Sequence, residues 1–351
     1  MGVLANLPEK LRPDGRPGGE DAPSAGEDAL ARLVSLVASD LQECNRAIVA
    51  RMDSSVPLIP QLAAHLVAAG GKRIRPLLTL VSARMCGYAG QRHVNLAACV
   101  EFIHTATLLH DDVVDESLLR RGLASANAIF GNKASVLVGD FLFARAFQLM
   151  VSDGSLKVLD ILSRAAATIA EGEVMQLATQ NDLSTNESQY LDVIRGKTAA
   201  LFAAACEVGA VVADRPDAEA EALVAYGTHI GMAFQLVDDA LDYAADQAIL
   251  GKTVGDDFRE GKITLPVLVA YAAGTEEERV FWRRTIEDSE QADADLERAF
   301  QLIANYDAIG ATLCRAAVFA DDAKRALQIF PPSTYRESLE AVADYTVSRI
   351  R

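Results

Sequence analysis

The chain has 351 residues, with 33 Lys and Arg against 49 Asp and Glu, so its formal net charge is −16. Such an acidic protein lacks the basic face on which non-specific nucleic-acid binding depends, and we expect no nucleic-acid partner. Half of the residues are hydrophobic but only 6% are aromatic, which favours a helical core built from Ala, Leu and Val. The five cysteines form no CxxC pair, so we predict reduced cytosolic thiols rather than disulfides or a zinc site.

The N-terminal residues 1–27 are rich in Pro, Gly, Asp and Glu and predict a disordered tail without the apolar segment of a signal peptide. Hydrophobic residues recur at helical spacing from Ala29 to Cys44, and residues 28–351 are predicted to form a single all-helical domain. The longest uncharged stretch, Ser54–Gly71, contains two prolines and is a poor transmembrane candidate. A cytoplasmic protein is therefore predicted, and peripheral contact with a membrane stays open.

The middle and C-terminal parts of the chain predict a series of helices. One begins near Pro76, and the next spans Val94–His110, where Glu101 is the only charge and burial on nearly all sides is expected. Further helices are predicted at residues 133–152, 155–180, 187–213, 216–245, 263–273, 276–289, 292–305, 307–328 and 333–350. No segment shows the alternation typical of a strand, so the predicted fold class is all-α.

Two Asp-Asp-x-x-Asp motifs each follow an apolar helical segment. They comprise Asp111, Asp112 and Asp115, and Asp238, Asp239 and Asp242. On a helix, residues i and i+4 share one face, and carboxylates that lie so close raise each other's pKa. A hard cation such as Mg²⁺ relieves this repulsion and typically shares its ligands with substrate phosphate. A single motif would equally fit a solvated helix end, but two copies favour Mg²⁺ ions around one diphosphate.

Two cationic clusters accompany these carboxylates. Lys72–Arg75 forms part of a glycine turn before a helix, and Arg120–Arg121 follows the first acidic motif. Amide groups at a helix start and nearby cations suit an anion, although ordinary surface charge explains either cluster taken alone. His104 lies two helical turns before Asp111, on the same face, where it fits either a phosphate contact or a satisfied core histidine.

Five ordered motifs, GGKRIRP, LLHDDVVDESLLRRG, GKTAALF, FQLVDDALDY and LGKTVGDDFREGKITLP, resemble those of the trans-prenyltransferases, the all-trans isoprenyl diphosphate synthases. The resemblance covers most of residues 30–350 and is greatest to bacterial long-chain members, the octaprenyl to decaprenyl diphosphate synthases of quinone side-chain biosynthesis. It implies the isoprenoid-synthase fold, an antiparallel helix bundle around a central cavity, usually in a homodimer. It also implies Mg²⁺-assisted addition of isopentenyl diphosphate to an allylic diphosphate, up to about C40–C50, with two or three metal ions.

The resemblance assigns roles residue by residue. Mg²⁺ on the allylic diphosphate is implied to be bound through Asp111, Asp115 and Asp238, supported by Asp112, Asp239 and Asp242. Arg120 is implied to hold the allylic diphosphate, while isopentenyl diphosphate is implied to be held by Lys72, Arg75, His104 and Arg121. The leaving group and developing cation are implied to be lined by Lys197, Thr198, Gln235 and Lys252, and Lys262 is implied to complete the diphosphate shell.

Product length follows, in this family, from residues just before the first acidic motif. Short-chain members commonly carry a bulky aromatic where this chain has Ala106 and Thr107, so we expect a tunnel that continues deeper. Phe102, Phe147 and Met150 are candidates for a deeper floor, with simple core packing as the alternative. A long apolar product implies delivery to a membrane.

Three other functions are weighed against a long-chain synthase. A shorter-chain, geranylgeranyl-type synthase shares the motifs and differs in its product. A type I terpene cyclase usually lacks the second Asp-rich motif and the GGKRxRP motif. A non-catalytic subunit of a heteromeric synthase generally loses one Asp-rich motif, whereas this sequence has both.

Overall fold

The architecture is a bundle of helices in a computed structural model that describes residues 25–68, 70–120, 122–244 and 254–349. The helices are α1 Ala25–Leu36, α2 Ala38–Arg51, α3 Leu58–Ala68, α4 Ile74–Met85, α5 Arg92–Val114, α6 Ala126–Phe130, α7 Asn132–Asp153, α8 Leu156–Thr179, α9 Glu187–Ile194, α10 Ala200–Val212, α11 Asp217–Asp242, α12 Asp256–Arg259, α13 Leu265–Ala273, α14 Glu276–Trp282, α15 Asp295–Asn305, α16 Ala308–Ala326 and α17 Thr334–Ser348. Two π-helical turns, Arg195–Ala199 and Arg283–Glu287, and a 3₁₀ turn, Leu327–Ile329, complete the helical elements of these residues.

The predicted all-α class is confirmed, with one small exception. Two-residue strands, β1 Leu119–Arg120 and β2 Leu123–Ala124, pair antiparallel in a short hairpin just after α5. Gly122 lies in its turn with a φ of 76°, a backbone conformation that glycine adopts without steric cost. Strands of two residues are too short to show an alternating pattern, so the sequence could not indicate them.

The N-terminal third departs from the predicted boundaries. The helix expected over Ala29–Cys44 is divided into α1 and α2 at Val37, whose φ of −126° is not helical. Helix α3 was not predicted. Pro57 precedes it and Pro60 lies within its first turn, where proline is tolerated. The predicted tail, residues 1–27, lies mostly outside the described residues, and α1 already begins at Ala25.

Helix α5 is the central helix of the bundle, as its near-absence of charge predicted. Fourteen of its 23 residues are buried, and it packs against α2, α4, α7 and α10. Helix α11 packs between α10 and α16, so that the two helices that carry acidic motifs reach the same end of the bundle. Helix α17 returns along α1 and also contacts α11 and α16. A separate apolar cluster around Phe258 and Trp282 holds α12–α16 together.

Among the described helices, α7 alone has the length and apolar composition of a membrane span. Of its most apolar 18-residue window, 44% is buried inside the protein. The same composition is typical of a core helix in a globular bundle, so these two features together are weak support for a membrane span.

Candidate active site

A deep cavity opens where α5 and α11 end, and most predicted site residues line it. The cavity and its mouth comprise about 2550 Å³ of space free of protein atoms. The predicted residues in its wall are Lys72, Arg75, His104, Thr107, Asp111, Asp115, Arg120, Lys197, Thr198, Gln235, Asp238, Asp239, Asp242 and Lys262. Two further predicted residues, Arg121 and Lys252, lie outside the described residues. The fold thus gathers side chains that lie up to 190 positions apart, 262 − 72 = 190, around one space.

The first acidic motif straddles the end of α5. Asp111 belongs to the last helical turn and Asp115 follows it, and both line the cavity. Burial raises the pKa of Asp111 to about 7, and the negative charges of Glu173 and Asp115 add to the rise while Lys197 and Arg120 oppose it. A carboxyl group in this environment gains strongly from a nearby cation.

Asp112 points away from the cavity that Asp111 and Asp115 line. It is 2% exposed, and its Oδ1 accepts a hydrogen bond from Arg120 Nε at 2.7 Å. The hairpin β1–β2 presents Arg120 to this carboxylate, and the Asn127 side chain donates to the Asp112 carbonyl at 2.9 Å. The structure therefore places Asp112 as the partner of Arg120 and does not bring it to the predicted metal ligands.

The second acidic motif closes α11 on the facing wall. Asp238 Oδ1 lies 3.0 Å from Arg349 Nη1, and Asp242 Oδ2 accepts a hydrogen bond of 3.0 Å from the Asp257 amide. Asp239 is buried and accepts two hydrogen bonds, from Tyr190 Oη at 2.6 Å and from Gln235 Nε2 at 2.7 Å.

The pKa of Asp239 is raised to about 7, chiefly by burial and then by Asp257. The hydrogen bonds from Tyr190 and Gln235 and the charge of Lys197 oppose that rise. Since both of its carboxylate oxygens are engaged by protein donors, Asp239 acts in this structure as the anchor of a hydrogen-bond chain.

Within the residues that the structure describes, no group of three or more His, Cys, Asp or Glu side chains gathers closely enough to hold a metal ion by itself.

Lys197 and Thr198 reach the cavity from the π-helical turn between α9 and α10. Lys197 Nζ donates to Gln176 Oε1 at 2.5 Å and lies 3.8 Å from Glu173 Oε1. Thr198 Oγ1 donates to Gln235 Oε1 at 2.7 Å, which extends the chain that begins at Asp239. Single π-turns within helices are frequent at functional sites, because they re-aim side chains.

A glycine contact sets the position of this turn. A β-carbon at Gly172 of α8 would lie 2.4 Å from the Lys197 amide nitrogen, closer than any real contact. A β-carbon at Gly196 would in turn lie 3.0 Å from the Gly172 Cα. The two backbones therefore touch with no side chain between them.

The cationic loop before α4 forms another part of the wall. Arg75 Nη1 lies 3.1 Å from His104 Nε2, and the Arg75 guanidinium stacks over the Phe202 ring at 4.4 Å from its centre. Since an arginine can only donate, His104 Nε2 is the acceptor in this contact. Lys72 Nζ donates to Tyr345 Oη at 2.5 Å, so α17 completes the wall here.

The two predicted chain-length residues lie in different environments. Thr107 lines the cavity, whereas Ala106 is fully buried and is not part of the cavity wall. Phe102 and Met150 are buried deep in the main core. Phe147 is 46% exposed on α7, so its interpretation as a core residue was wrong, and it does not line the cavity.

Several cavity residues were not predicted. They are Glu173, Gln176, Tyr190, Phe202, Phe234, Asp257, Tyr345 and Arg349. Asp257 belongs to the quoted motif GDDFREGK, so its acidic neighbour and nearby glycine were an available signal. The others stand in ordinary helical patterns, and only the packing of α8, α9, α10, α11 and α17 brings them to the cavity.

Comparison with known proteins identifies the family. The polyprenyl synthetase family model matches residues 56–303, which is 303 − 56 + 1 = 248 of the 351 residues. The chain belongs to the polyprenyl synthetase family. Its enzymes are prenyltransferases that use isopentenyl and allylic diphosphates, and they are generally Mg²⁺-dependent. The predicted family, fold and enzyme class are thereby confirmed.

Individual polyprenyl synthetases match over nearly their whole length. The octaprenyl diphosphate synthase of Escherichia coli is 49% identical over 322 residues, which cover 92% of this chain and 99% of the relative. A decaprenyl diphosphate synthase structure from Rhodobacter capsulatus has a TM-score of 0.88 at 52% identity, covering 92% and 99% of the two chains. A polyprenyl synthase from Caulobacter crescentus, solved with calcium and isoprenyl diphosphate, has a TM-score of 0.89 at 55% identity, covering 91% and 97%.

Proposed function

We propose that this protein is a long-chain all-trans polyprenyl diphosphate synthase, which adds isopentenyl diphosphate repeatedly to an allylic diphosphate. The observation that carries the proposal is the single cavity that two Asp-rich helix ends and several Lys and Arg side chains line together. The full-length likeness to octaprenyl and decaprenyl synthases supports a product of about C40–C50. Use of that product for quinone side chains is part of the proposal, as is a single catalytic domain over residues 28–351.

The carboxylates of this cavity fit Mg²⁺. Asp111, Asp115, Asp238 and Asp242 line it, and the pKa of Asp111 is raised chiefly by burial and further by the negative charges of Glu173 and Asp115, so a cation would stabilise its ionised form. Mg²⁺ typically takes one or two carboxylates together with phosphate oxygens, so we propose two or three ions shared with the diphosphate. When bound, the metal supplies charge stabilisation for the departing pyrophosphate.

The second aspartate of each motif has, in our proposal, a supporting role. Asp112 orients Arg120 toward the allylic diphosphate through their short ion pair. Asp239 orients Gln235, and through it Thr198, toward the carbon that becomes cationic. Direct metal contact by Asp112 and Asp239 stays a prediction. The hydrogen bonds that their carboxylates accept from protein groups do not favour it.

The two substrates are proposed to bind at opposite sides of the cavity. Lys72, Arg75 and His104 hold the diphosphate of isopentenyl diphosphate, and Arg120 holds the allylic diphosphate. Arg121 is proposed to join the first group and Lys252 to face the leaving group, although both lie outside the described residues. Lys197 and Lys262 add positive charge where pyrophosphate leaves.

The reaction follows from these placements. The allylic C–O bond breaks, pyrophosphate leaves against the cations, and the alkene of isopentenyl diphosphate forms the new C–C bond with the allylic carbon. The new bond leaves the positive charge on the isopentenyl unit, and the carbon next to that charge then loses a proton. We propose that the departing pyrophosphate accepts this proton. Phe202 and Phe234 exclude water beside the cation, while the Thr198 hydroxyl and Gln235 amide stabilise it as fixed dipoles.

We further propose a homodimer that uses the outer face of α7 and α8. Large apolar side chains that are more than half exposed gather on these helices, among them Leu137, Val151, Leu156, Val174 and Leu177. A second copy of the chain would cover them. A cytoplasmic enzyme that releases its long apolar product to a membrane is the location we propose.

The test is incubation with farnesyl diphosphate, labelled isopentenyl diphosphate and Mg²⁺, followed by chromatography of the dephosphorylated products. A ladder that ends at octaprenyl to decaprenyl products supports the proposal. A stop at geranylgeranyl keeps the chemistry but assigns the shorter-chain alternative. No elongation by folded protein with Mg²⁺ present contradicts the proposal and favours a cyclase or a subunit that needs a partner.

A further inference from the structure

One half-buried ion pair in the cavity wall has no part in the proposed chemistry. Glu101, the only charge in the buried segment Val94–His110, is 7% exposed. Its Oε1 accepts a hydrogen bond from Arg73 Nη1. Both residues line the large cavity and also a smaller neighbouring pocket, which Ile48 and Met52 help to line. The pair joins the cationic loop to α5.

The loop needs such an anchor because its backbone is irregular. Gly70 and Gly71 have φ values of 66° and 155°, and Arg73 follows with a φ of 50°. Glycine tolerates positive φ, whereas an arginine there is strained and persists only when its surroundings hold it. The Arg73 carbonyl starts α4 by accepting the Leu77 amide at 3.0 Å, so this strained residue also fixes where the helix begins.

The anchored Arg73 lies between the two cations that are proposed to bind the diphosphate. Lys72 precedes Arg73 and contacts Tyr345, while Arg75 follows it and contacts His104. Glu101 and His104 are one helical turn apart on α5, so the same helix face holds both arginines of the loop. Without the contact to Glu101, the loop would lose the conformation that directs Lys72 and Arg75 into the cavity.

We propose that Arg73 and Glu101 are positioning residues, whose ion pair holds the loop of residues 70–76 in the conformation that receives isopentenyl diphosphate. The inference rests on the proposed function, in which Lys72 and Arg75 bind that diphosphate. Removal of either partner leaves a buried charge uncompensated, and the loop must move to expose it to water.

Steady-state kinetics of three variants test the pair. Glu101→Gln and Arg73→Met should raise KM for isopentenyl diphosphate about tenfold, with smaller changes in kcat and in KM for farnesyl diphosphate. Arg73→Lys keeps the charge without the planar guanidinium, so it should restore most of the affinity and leave about a threefold rise. A rise chiefly in the KM for isopentenyl diphosphate, partly reversed in Arg73→Lys, distinguishes positioning of one substrate site from a general loss of structure.

A matched control removes a comparable half-buried ion pair that lies away from the cavity. Arg84 of α4 donates to both carboxylate oxygens of Asp40 at 2.7 Å, and neither residue lines the cavity. Arg84→Met should lower the melting temperature and leave both KM values unchanged. If Glu101→Gln behaves like Arg84→Met, the pair is structural only and the inference is wrong.

The outcomes also separate this inference from the proposed function. Wild-type protein that elongates no substrate contradicts the function, whereas active wild-type protein with an unchanged KM in folded Glu101→Gln contradicts only the positioning role. If Glu101→Gln does not fold, Arg73→Lys decides in the same way: a selective rise in KM for isopentenyl diphosphate supports the role, and an unchanged KM overturns it.

Discussion

Lys262 Nζ lies 2.9 Å from Asp115 Oδ2, so a lysine beyond the second acidic motif is ion-paired to the first motif, 147 residues earlier in the chain. The same ammonium lies 2.5 Å from Glu260 Oε2. Burial alone would lower the pKa of Lys262, but Asp257, Asp115 and Glu260 raise it above its usual value. Lys262 is therefore a permanent cation in the cavity wall, beside the first acidic motif.

We expect Lys262→Met to lower kcat by about 10² or more, because it removes charge stabilisation of the leaving group and leaves two carboxylates facing each other. Product formation at saturating substrates measures this. Lys262→Arg is the matched control and should retain much of the activity. Near-normal turnover in Lys262→Met would place the lysine outside the chemistry.

Loss of a cavity carboxylate should be as severe. Asp111→Ala and Asp238→Ala each remove a proposed metal ligand, and we expect turnover to fall by about 10²–10³. Asp321→Ala, which removes an exposed carboxylate paired with Lys324 on α16, should leave turnover unchanged. Titration of Mg²⁺ in each variant shows whether the lost activity is a metal effect. The proposed roles fail if either cavity variant turns over normally.

Bulk at the end of α5 should shorten the product. We expect Thr107→Phe to do so directly, because Thr107 lines the cavity. Ala106→Tyr should also shorten it, but at some cost in stability, because Ala106 is fully buried. Chromatography of the dephosphorylated products is the measurement, with the exposed Ala311→Tyr as control. An unchanged ladder in a folded Ala106→Tyr variant would mean that this residue does not border the growing chain.

The cysteines should differ sharply in reactivity. Burial raises the pKa of Cys44, Cys86 and Cys206 to about 12 and raises that of Cys99 further, while Cys314 is exposed. Since the thiolate is the reactive form, a thiol reagent should modify one cysteine rapidly in the folded protein and all five after unfolding. Cys314→Ser should abolish the rapid phase. More than one rapid thiol would contradict the buried placements.

Acid should destabilise the protein partly through His93. This residue is fully buried, and burial lowers its pKa below 6.5 despite Asp40 Oδ2 at 3.1 Å. The unfolded state therefore binds the proton more readily, so the contribution of His93 is complete above pH 6.5 and is lost as the pH falls below it. Urea unfolding at about pH 8 and about pH 5.5 should show a smaller acid loss in His93→Asn than in wild type. Equal losses would contradict this assignment.

Much of this molecule could be predicted from its sequence, for identifiable reasons. Long helices such as α5, α8 and α11 were predicted to within a few residues, because their hydrophobic spacing is unambiguous. Most acidic and cationic residues of the cavity were predicted because they belong to the motifs, whereas Glu173, Asp257 and Arg349 were missed. The division at Val37 and the existence of α3 were missed, since both depend on packing that overrides local propensity.

The direction of individual side chains was harder to predict. Asp111 and Asp112 are neighbours in one motif, yet only Asp111 lines the cavity, because successive helical residues point about 100° apart. Tyr190 and Tyr345 belong to helices with no unusual pattern, Arg349 directly follows one, and all three reach the cavity only through the fold. Sequence motifs therefore indicated the charges of the site, and packing supplied the aromatic wall and the hydrogen-bond partners.

The contact between Gly172 and Gly196 has a consequence for engineering. Because main chain meets main chain there, the height of Lys197 above α8 does not depend on how neighbouring side chains pack. If Thr107 borders the growing chain, as proposed, substitutions there should change product length without moving the lysine. A designer who seeks new product lengths can therefore work on the wall near Thr107 and leave the contact between Gly172 and Gly196 untouched.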